Sequence, residues 1–72
     1  MLREDNIYTD KNEDMVTAYF VGYDAIPNEV LSRIFLDRDT LLREHNYEYL
    51  ILDIGNHFFL SPSAFHKQYE PK

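Results

Sequence analysis

Apolar and polar side chains alternate along residues 15–23, MVTAYFVGY, a segment rich in the β-branched and aromatic residues that favour strands. Successive residues of a strand point to opposite faces of its sheet. One face therefore contains Val16, Ala18, Phe20 and Gly22, and the other contains Thr17, Tyr19, Val21 and Tyr23. We expect the first face, which is small and apolar, to lie under a helix. Gly22 weakens the strand and indicates a bulge or the close approach of a helix.

Residues 28–45, NEVLSRIFLDRDTLLREH, have the periodicity of one long amphipathic helix. Asn28 suits the N-cap, and Glu29 in the first turn is favourable to the helix dipole. Seven residues share one sector of the helical wheel: Val30, Leu31, Ile34, Phe35, Leu41, Leu42 and His45.

The polar segment 37–40 interrupts this predicted helix, because Arg38 lies inside its apolar sector. Arg38 can extend along the core and keep its guanidinium in water. Otherwise the helix breaks here, and Asp37 or Asp39 caps a second piece. We favour helix throughout, with a kink or break at this point, and a short strand over 33–37 is the alternative.

Residues 47–54, YEYLILDI, predict a second strand and residues 57–60 a third, joined by Gly55 and Asn56 in a two-residue turn. The predicted register pairs Ile54 with His57, Asp53 with Phe58, Leu52 with Phe59 and Ile51 with Leu60. One face then contains Leu50, Leu52, Ile54, His57 and Phe59, and the other contains Tyr49, Ile51, Asp53, Phe58 and Leu60. Because neither face is polar, we expect both to be covered.

A last helix is predicted after Ser61, the expected N-cap, with Pro62 at its first position and Pro71 ending it. The predicted fold class is therefore α+β, a single domain of order β-α-β-β-α. It has a three-stranded, mainly antiparallel sheet with the long helix on one face and the short helix on the other. We assign residues 14–72 to this domain and residues 1–13 to an acidic polar arm. The short helix and the arm offer little cover, so we expect the second face to be partly open.

The charge is uneven, with 13 acidic and seven basic side chains and a formal net charge of −6. Residues 1–24 contain six acidic and two basic side chains. This composition disfavours direct nucleic-acid binding and favours either simple solubility or attraction to a basic partner surface. Neither a secretory signal nor a membrane-spanning run is present in the sequence, so we expect a cytosolic protein.

Residue types that support catalysis or metal binding are thinly distributed. The three histidines, His45, His57 and His66, lie 12 and nine residues apart, unlike the close pairs of most metal sites. The chain has no cysteine and only two glycines, which disfavours a thiolate site and a glycine-rich phosphate loop. We therefore predict no catalytic residue, no metal site and no cofactor.

Six tyrosines in 72 residues are more than a core of this size can bury, and tyrosine is enriched at protein interfaces. The second face of the first strand would form an apolar strip with a rim of negative charge. The predicted partner-binding residues are Tyr19, Val21, Tyr23, Asp24, Glu13, Asp14 and Tyr49. The alternative is that the short helix and the arm simply cover these rings.

These features favour a non-catalytic protein-binding module, a small acidic regulator or inhibitor of the kind that phages and mobile elements encode. A sharper version is a nucleic-acid mimic that docks on a basic nucleic-acid-binding protein, which requires carboxylates at phosphate-like spacing. The alternative is a structural homo-oligomer or accessory subunit that assembles through its sheet face or edge.

Overall fold

A computed structural model describes residues 6–71 and shows five strands in one antiparallel sheet, with three helices. In chain order the elements are β1 (Ile7–Thr9), β2 (Met15–Phe20), α1 (Asn28–Ile34), α2 (Arg38–His45), β3 (Tyr49–Asp53), β4 (Asn56–Leu60), α3 (Pro62–Gln68) and β5 (Glu70–Pro71). The strand order is β4-β3-β2-β1-β5. The α+β class is confirmed, whereas the prediction of three strands and one long helix is wrong.

The two additional strands come from segments too short to show a strand period. β1 lies in the predicted arm and pairs with β2, with Tyr8 opposite Val16. The turn between them is closed by Asp10, whose Oδ1 accepts hydrogen bonds from the N–H groups of Asn12 and Asp14 at 2.9 and 3.0 Å. β5 pairs with the outer side of β1. The part of the predicted arm before residue 6 lies outside the described residues.

The segment 28–45 forms two helices, so the break predicted as one outcome is confirmed and the strand over 33–37 is wrong. α1 ends at Phe35, whose backbone is left-handed at φ 60° and whose N–H donates to the carbonyls of Leu31 and Ser32. Asp37 caps α2, since its carboxylate accepts a hydrogen bond from the Thr40 N–H at 2.8 Å. A hydrogen bond from the Thr40 side chain, and after it this backbone bond, hold the pKa of Asp37 below its ordinary value.

The β3–β4 hairpin turns at Ile54 and Gly55, one residue earlier than predicted, with Asp53 opposite Asn56. Gly55 takes the second turn position with φ 71°, where a glycine is favoured. The observed register therefore pairs Leu52 with His57 and not with Phe59. This displacement of two residues leaves each side chain on its predicted face, because faces repeat every two residues.

Helices cover both faces of the sheet. α1 and α2 lie over one face, where the buried residues are Val21, Ile26, Val30, Leu31, Ile34, Leu41, Leu50 and Leu52. α3 lies over the other face, where the buried residues are Val16, Ala18, Ile51, Phe65 and Tyr69. The expectation of a partly open second face is therefore wrong for these central positions, since the chain itself supplies the cover.

The small apolar face of β2 lies under a helix, as predicted, but the other face, predicted as a partner-binding strip, is covered as well at Tyr19 and Val21. Val16 and Ala18 lie under α3, while Tyr19 and Val21 pack against the layer formed by α1 and α2. Alternation shows which residues share a face but cannot show which helix covers it. The small Ala18 leaves room for the large Phe65 ring, which is fully buried in the same cluster.

Gly22 lies just beyond β2, at φ 95°, where the end of α2 approaches it. A β-carbon at this position would collide with the side-chain oxygen of Asn46, the C-cap residue of α2. The predicted close approach at Gly22 is thus confirmed, and it joins the end of β2 to the end of α2.

Candidate functional site

Four aromatic side chains meet where β2 ends and β3 begins, and we call this group the aromatic corner: Phe20, Tyr23, Tyr47 and Tyr49. Phe20 is at its centre. Its ring centroid lies 6.4 Å from that of Tyr23, 6.2 Å from that of Tyr47 and 4.8 Å from that of Tyr49. The interplanar angles with Tyr23 and Tyr47 are 50° and 47°, so both outer rings are tilted with respect to Phe20.

Backbone hydrogen bonds beyond the strand ends bring these residues together. The Val21 N–H donates to the Glu48 carbonyl at 2.9 Å, and the Tyr47 N–H donates to the Val21 carbonyl at 3.0 Å. After β2 the chain turns back, and the N–H groups of Tyr23 and Asp24 both donate to the Phe20 carbonyl. The position of the aromatic corner is therefore set by the backbone of two neighbouring segments.

A continuous stack of rings anchors the aromatic corner in the core. Tyr49 stacks on the fully buried Phe65, with centroids 3.9 Å apart and ring planes 8° apart. Phe65 also contacts Tyr8 and Tyr69. Burial raises the pKa of the Tyr49 hydroxyl, and the nearby Tyr8 and Asp24 raise it further. Tyr49 is thus the link between a rigid interior and the outer rings.

The outer rings are open to solvent. Tyr23 is 82% exposed and Tyr47 is 67% exposed, while Phe20 and Tyr49 are half-buried beneath them. Exposed tyrosines held on an ordered base are typical of protein interfaces, because little side-chain entropy is lost when a partner covers them.

Asp24 places a carboxylate beside the aromatic corner. Its Oδ2 accepts hydrogen bonds from the Phe20 N–H at 2.8 Å and from the Asn6 side-chain amide at 3.3 Å. These bonds fix the carboxylate against the end of β2. Segments 18–24 and 46–49, which contain the four rings of the aromatic corner, include two carboxylates, Asp24 and Glu48, and no lysine or arginine.

The predicted partner-binding residues divide into three groups in the structure. Tyr23, Asp24 and Tyr49 lie together at the aromatic corner. Tyr19 is half-buried and Val21 is fully buried against the α1–α2 layer, so Val21 has no surface to offer a partner.

Glu13 and Asp14, the remaining two, lie in the β1–β2 turn at the start of β2, whereas Tyr23 follows the end of that strand. At ~3.3 Å per residue, β2 separates the two places by about 20 Å. The structure therefore does not bring these carboxylates to the aromatic corner.

Phe20 and Tyr47 belong to the aromatic corner and were not predicted. Alternation placed Phe20 on a core face, and Tyr47 lay at the start of a predicted strand. The signal that could have identified Tyr47 is its position between Asn46, which ends α2, and the strand that follows. Such a tight connection favours a residue with left-handed backbone, and Tyr47 has φ 66°.

The histidines do not form a common site. His45 stacks on Phe59 with centroids 3.7 Å apart, and its Nδ1 lies 2.9 Å from Glu48 Oε1. His66 contacts Tyr49 at 5.5 Å, and His57 is exposed on β4. Within residues 6–71 there is no group of three His, Asp or Glu side chains that could hold a metal ion.

No protein-family model matches this chain, and comparisons with curated proteins and with solved structures give no significant match. Across residues 6–71, the longest helix has eight residues, and none is long and apolar enough to cross a membrane.

Proposed function

We propose that this chain is a non-catalytic protein-binding module, a small acidic regulator or inhibitor that docks on a basic protein through the aromatic corner. The observation on which this rests is the exposure of Tyr23 and Tyr47 on an ordered aromatic base. A small domain gains stability by burying such rings. Met15, Phe35 and Ile54 are exposed as well, but Tyr23 and Tyr47 are the exposed rings that contact a shared, half-buried aromatic ring. Their exposure is explained if a partner buries them.

Charge supports a basic partner. The net charge is −6, and Asp24 and Glu48 adjoin the exposed rings. Opposite charge on a partner would speed association and exclude acidic surfaces, while the aromatic rings would supply most of the affinity. The carboxylates of residues 6–71 are distributed over the β1–β2 turn, the loop after β2, the helices and their caps, the α2–β3 connection, the end of β3 and β5. This distribution favours general attraction over a row that imitates phosphates.

A pair of matched substitutions tests this proposal. Tyr47→Gly removes an exposed ring at a left-handed position where glycine is comfortable, so the fold should be retained. Phe35→Gly makes the same change at a second exposed, left-handed aromatic residue, the C-cap of α1, which lies outside the aromatic corner. Circular dichroism and thermal unfolding would establish that both variants fold.

The readout is capture from a cell lysate by the immobilised parent and both variants, with mass spectrometry of the bound protein. We expect one basic protein to bind the parent and Phe35→Gly, and its recovery from Tyr47→Gly to fall at least about tenfold, the effect of losing a central aromatic contact worth ~1.4 kcal/mol. Equal recovery from all three proteins, or capture of an acidic protein that depends on Tyr47, would contradict the proposal.

A homo-oligomer is the second candidate function, and the edge of the sheet favours it. β4 is an edge strand of five residues, NHFFL, without lysine, acidic residues or proline to discourage pairing with another strand. Sedimentation of the parent and of His57→Lys at micromolar concentration tests this role. A dimer that dissociates in His57→Lys would favour the oligomer, whereas a monomeric parent would exclude assembly through β4 under these conditions.

A further inference from the structure

We propose that the aromatic corner receives an arginine side chain of the partner, with Phe20 as the floor, Tyr23 and Tyr47 as the walls and Asp24 as the carboxylate that meets the guanidinium. This inference rests on the proposed function and specifies the chemistry that the aromatic corner recognises. It concerns one side chain of the partner, not the whole interface.

The arrangement of the rings supports a cationic group. Tyr23 and Tyr47 both contact Phe20, and each ring is tilted by about half a right angle to it. Their two centroids lie at similar distances from Phe20, 6.4 and 6.2 Å. The faces of aromatic rings carry negative electrostatic potential and attract cations placed within about 6 Å of the centroid. In the proposed site these three rings bound the space for the partner's side chain, and their faces favour a positive group over a neutral one.

Asp24 adds a full negative charge at the edge of this space. Its Oδ2 is occupied by the Phe20 N–H and the Asn6 amide, whereas its Oδ1 accepts no hydrogen bond from any residue between 6 and 71. No ion pair within this part of the chain involves Asp24. The carboxylate is therefore held in place by one oxygen and keeps the other for an external donor.

The combination of stacked rings and a carboxylate favours arginine over lysine. A guanidinium is planar, so it can lie against a ring while its edge donates hydrogen bonds to a carboxylate. A lysine ammonium is a compact and strongly hydrated charge that cannot do both at once as well. Among the side chains of a basic protein, arginine is thus the one that can stack on the three rings and also donate hydrogen bonds to Asp24.

Three short peptides of equal length test the inference, with the isotope-labelled full chain observed by NMR. One contains three arginines, the second replaces each arginine by lysine, and the third replaces each by citrulline, which has the shape of arginine without its charge. We expect the arginine peptide to shift the ring resonances of Phe20, Tyr23 and Tyr47 saturably. We expect the lysine peptide to bind at least about threefold more weakly, and the citrulline peptide to leave these resonances unchanged.

Two variants localise the effect. Tyr23→Ala removes an exposed wall without touching the core and should weaken the arginine peptide at least about fivefold, whereas Phe35→Gly should leave its affinity unchanged. Equal binding of the arginine and lysine peptides would overturn the inference, because it would indicate attraction by net charge alone. Shifts confined to the acidic β1–β2 turn would also overturn it.

These outcomes are independent of the test of the proposed function. If lysate capture depends on Tyr47 while the arginine and citrulline peptides behave alike, the binding module stands and the arginine site fails. If capture does not depend on Tyr47, the binding module itself fails, whatever the peptides show.

Discussion

Phe35 and Tyr47 each combine a left-handed backbone with a large ring in solvent. Phe35 has φ 60° and is 90% exposed, and Tyr47 has φ 66°. Left-handed backbone is unfavourable for a residue with a β-carbon, and helices commonly end with glycine at such positions. Both residues follow the end of a helix, so glycine would have satisfied the backbone in each case. We therefore expect each ring to stabilise the fold by less than the strain of its left-handed backbone costs. For Tyr47, the proposed interface explains why a tyrosine occupies this position.

Phe35→Gly should stabilise the folded chain by up to about 1 kcal/mol. The substitution relieves the left-handed strain and removes almost no buried area, while the more flexible unfolded chain offsets part of the gain. Urea unfolding of the parent and the variant at neutral pH measures this difference. Phe35→Ala, which keeps a β-carbon at the same φ, serves as the control and should show no gain. A loss of stability in Phe35→Gly would mean that the exposed ring is important for folding.

Connections between elements determine how α1 and α2 meet the sheet. Gly22 follows the end of β2 and contacts Asn46 at the end of α2. This contact helps to position α2, and the neighbouring backbone bond between Val21 and Tyr47 places Tyr47 in the aromatic corner. Gly55, in the β3–β4 turn, also has positive φ but has open space around it. Comparing substitutions at the two glycines therefore distinguishes the effect of backbone strain from the effect of a steric contact between elements.

Gly22→Ala should destabilise the chain by about 1 kcal/mol more than Gly55→Ala. Both substitutions impose the strain of positive φ on alanine, but only the first adds a collision with Asn46. Chemical unfolding of both variants gives the comparison. In an Asn46→Ala background the excess should disappear, as a double-mutant cycle would record. An equal loss in the free energy of unfolding for the two glycine substitutions would show that Asn46 and the end of α2 move aside without measurable cost.

At the scale of the whole molecule, the chain covers both faces of its sheet with its own helices and still leaves an aromatic cluster open at one corner. The two layers have different chemistry. The α1–α2 layer is mainly aliphatic, whereas the α3 layer is built around Phe65, on which Tyr49 and Tyr69 stack and which Tyr8 contacts edge-on. The outer rings of the aromatic corner connect to Phe65 through Phe20 and Tyr49. A partner that binds them would therefore contact residues that pack directly on the α3 layer.

The tyrosines of this second layer should make the fold sensitive to alkali. Burial raises the pKa of Tyr49 and of Tyr69 in the folded chain, so the neutral forms are favoured by folding. Their contribution to stability is complete below the unfolded pKa of about 10 and is lost as the pH rises through the raised folded values. Urea unfolding between about pH 8 and about pH 11 should show this loss.

Tyr69→Phe is the control for this dependence, since it keeps the buried ring and removes the group that ionises. Its stability should fall less steeply with alkali than that of the parent. The same slope in both proteins would assign the alkaline loss to other groups.

The predictions from sequence succeeded where a local pattern was sufficient. The alternation in β2 and β3 identified the residues that share a face, and Ser61 and Pro62 begin α3 as expected. The break before α2 followed from the polar segment around Arg38, although the alternatives remained open. Of the predicted partner-binding residues, the structure brings Tyr23, Asp24 and Tyr49 together, whereas Tyr19 and Val21 pack against the α1–α2 layer.

The amino-acid sequence by itself determined the acidic balance, which is a matter of composition. It also determined the α+β class, the two-residue period of the central strands and the caps of α2 and α3, because these depend on neighbours a few residues away. The prediction of Asn28 as the cap of α1 is wrong, since Pro27 takes that position and no side chain caps this helix. Tertiary structure decided which helix layer covers each face, whether Ile7–Thr9 and Glu70–Pro71 become strands, and which rings meet at the aromatic corner. A strand of two or three residues has too few hydrogen bonds to form without its neighbours. The meeting of Phe20 and Tyr47, 27 residues apart in the chain, likewise depends on backbone bonds that exist only after β2 and β3 have paired.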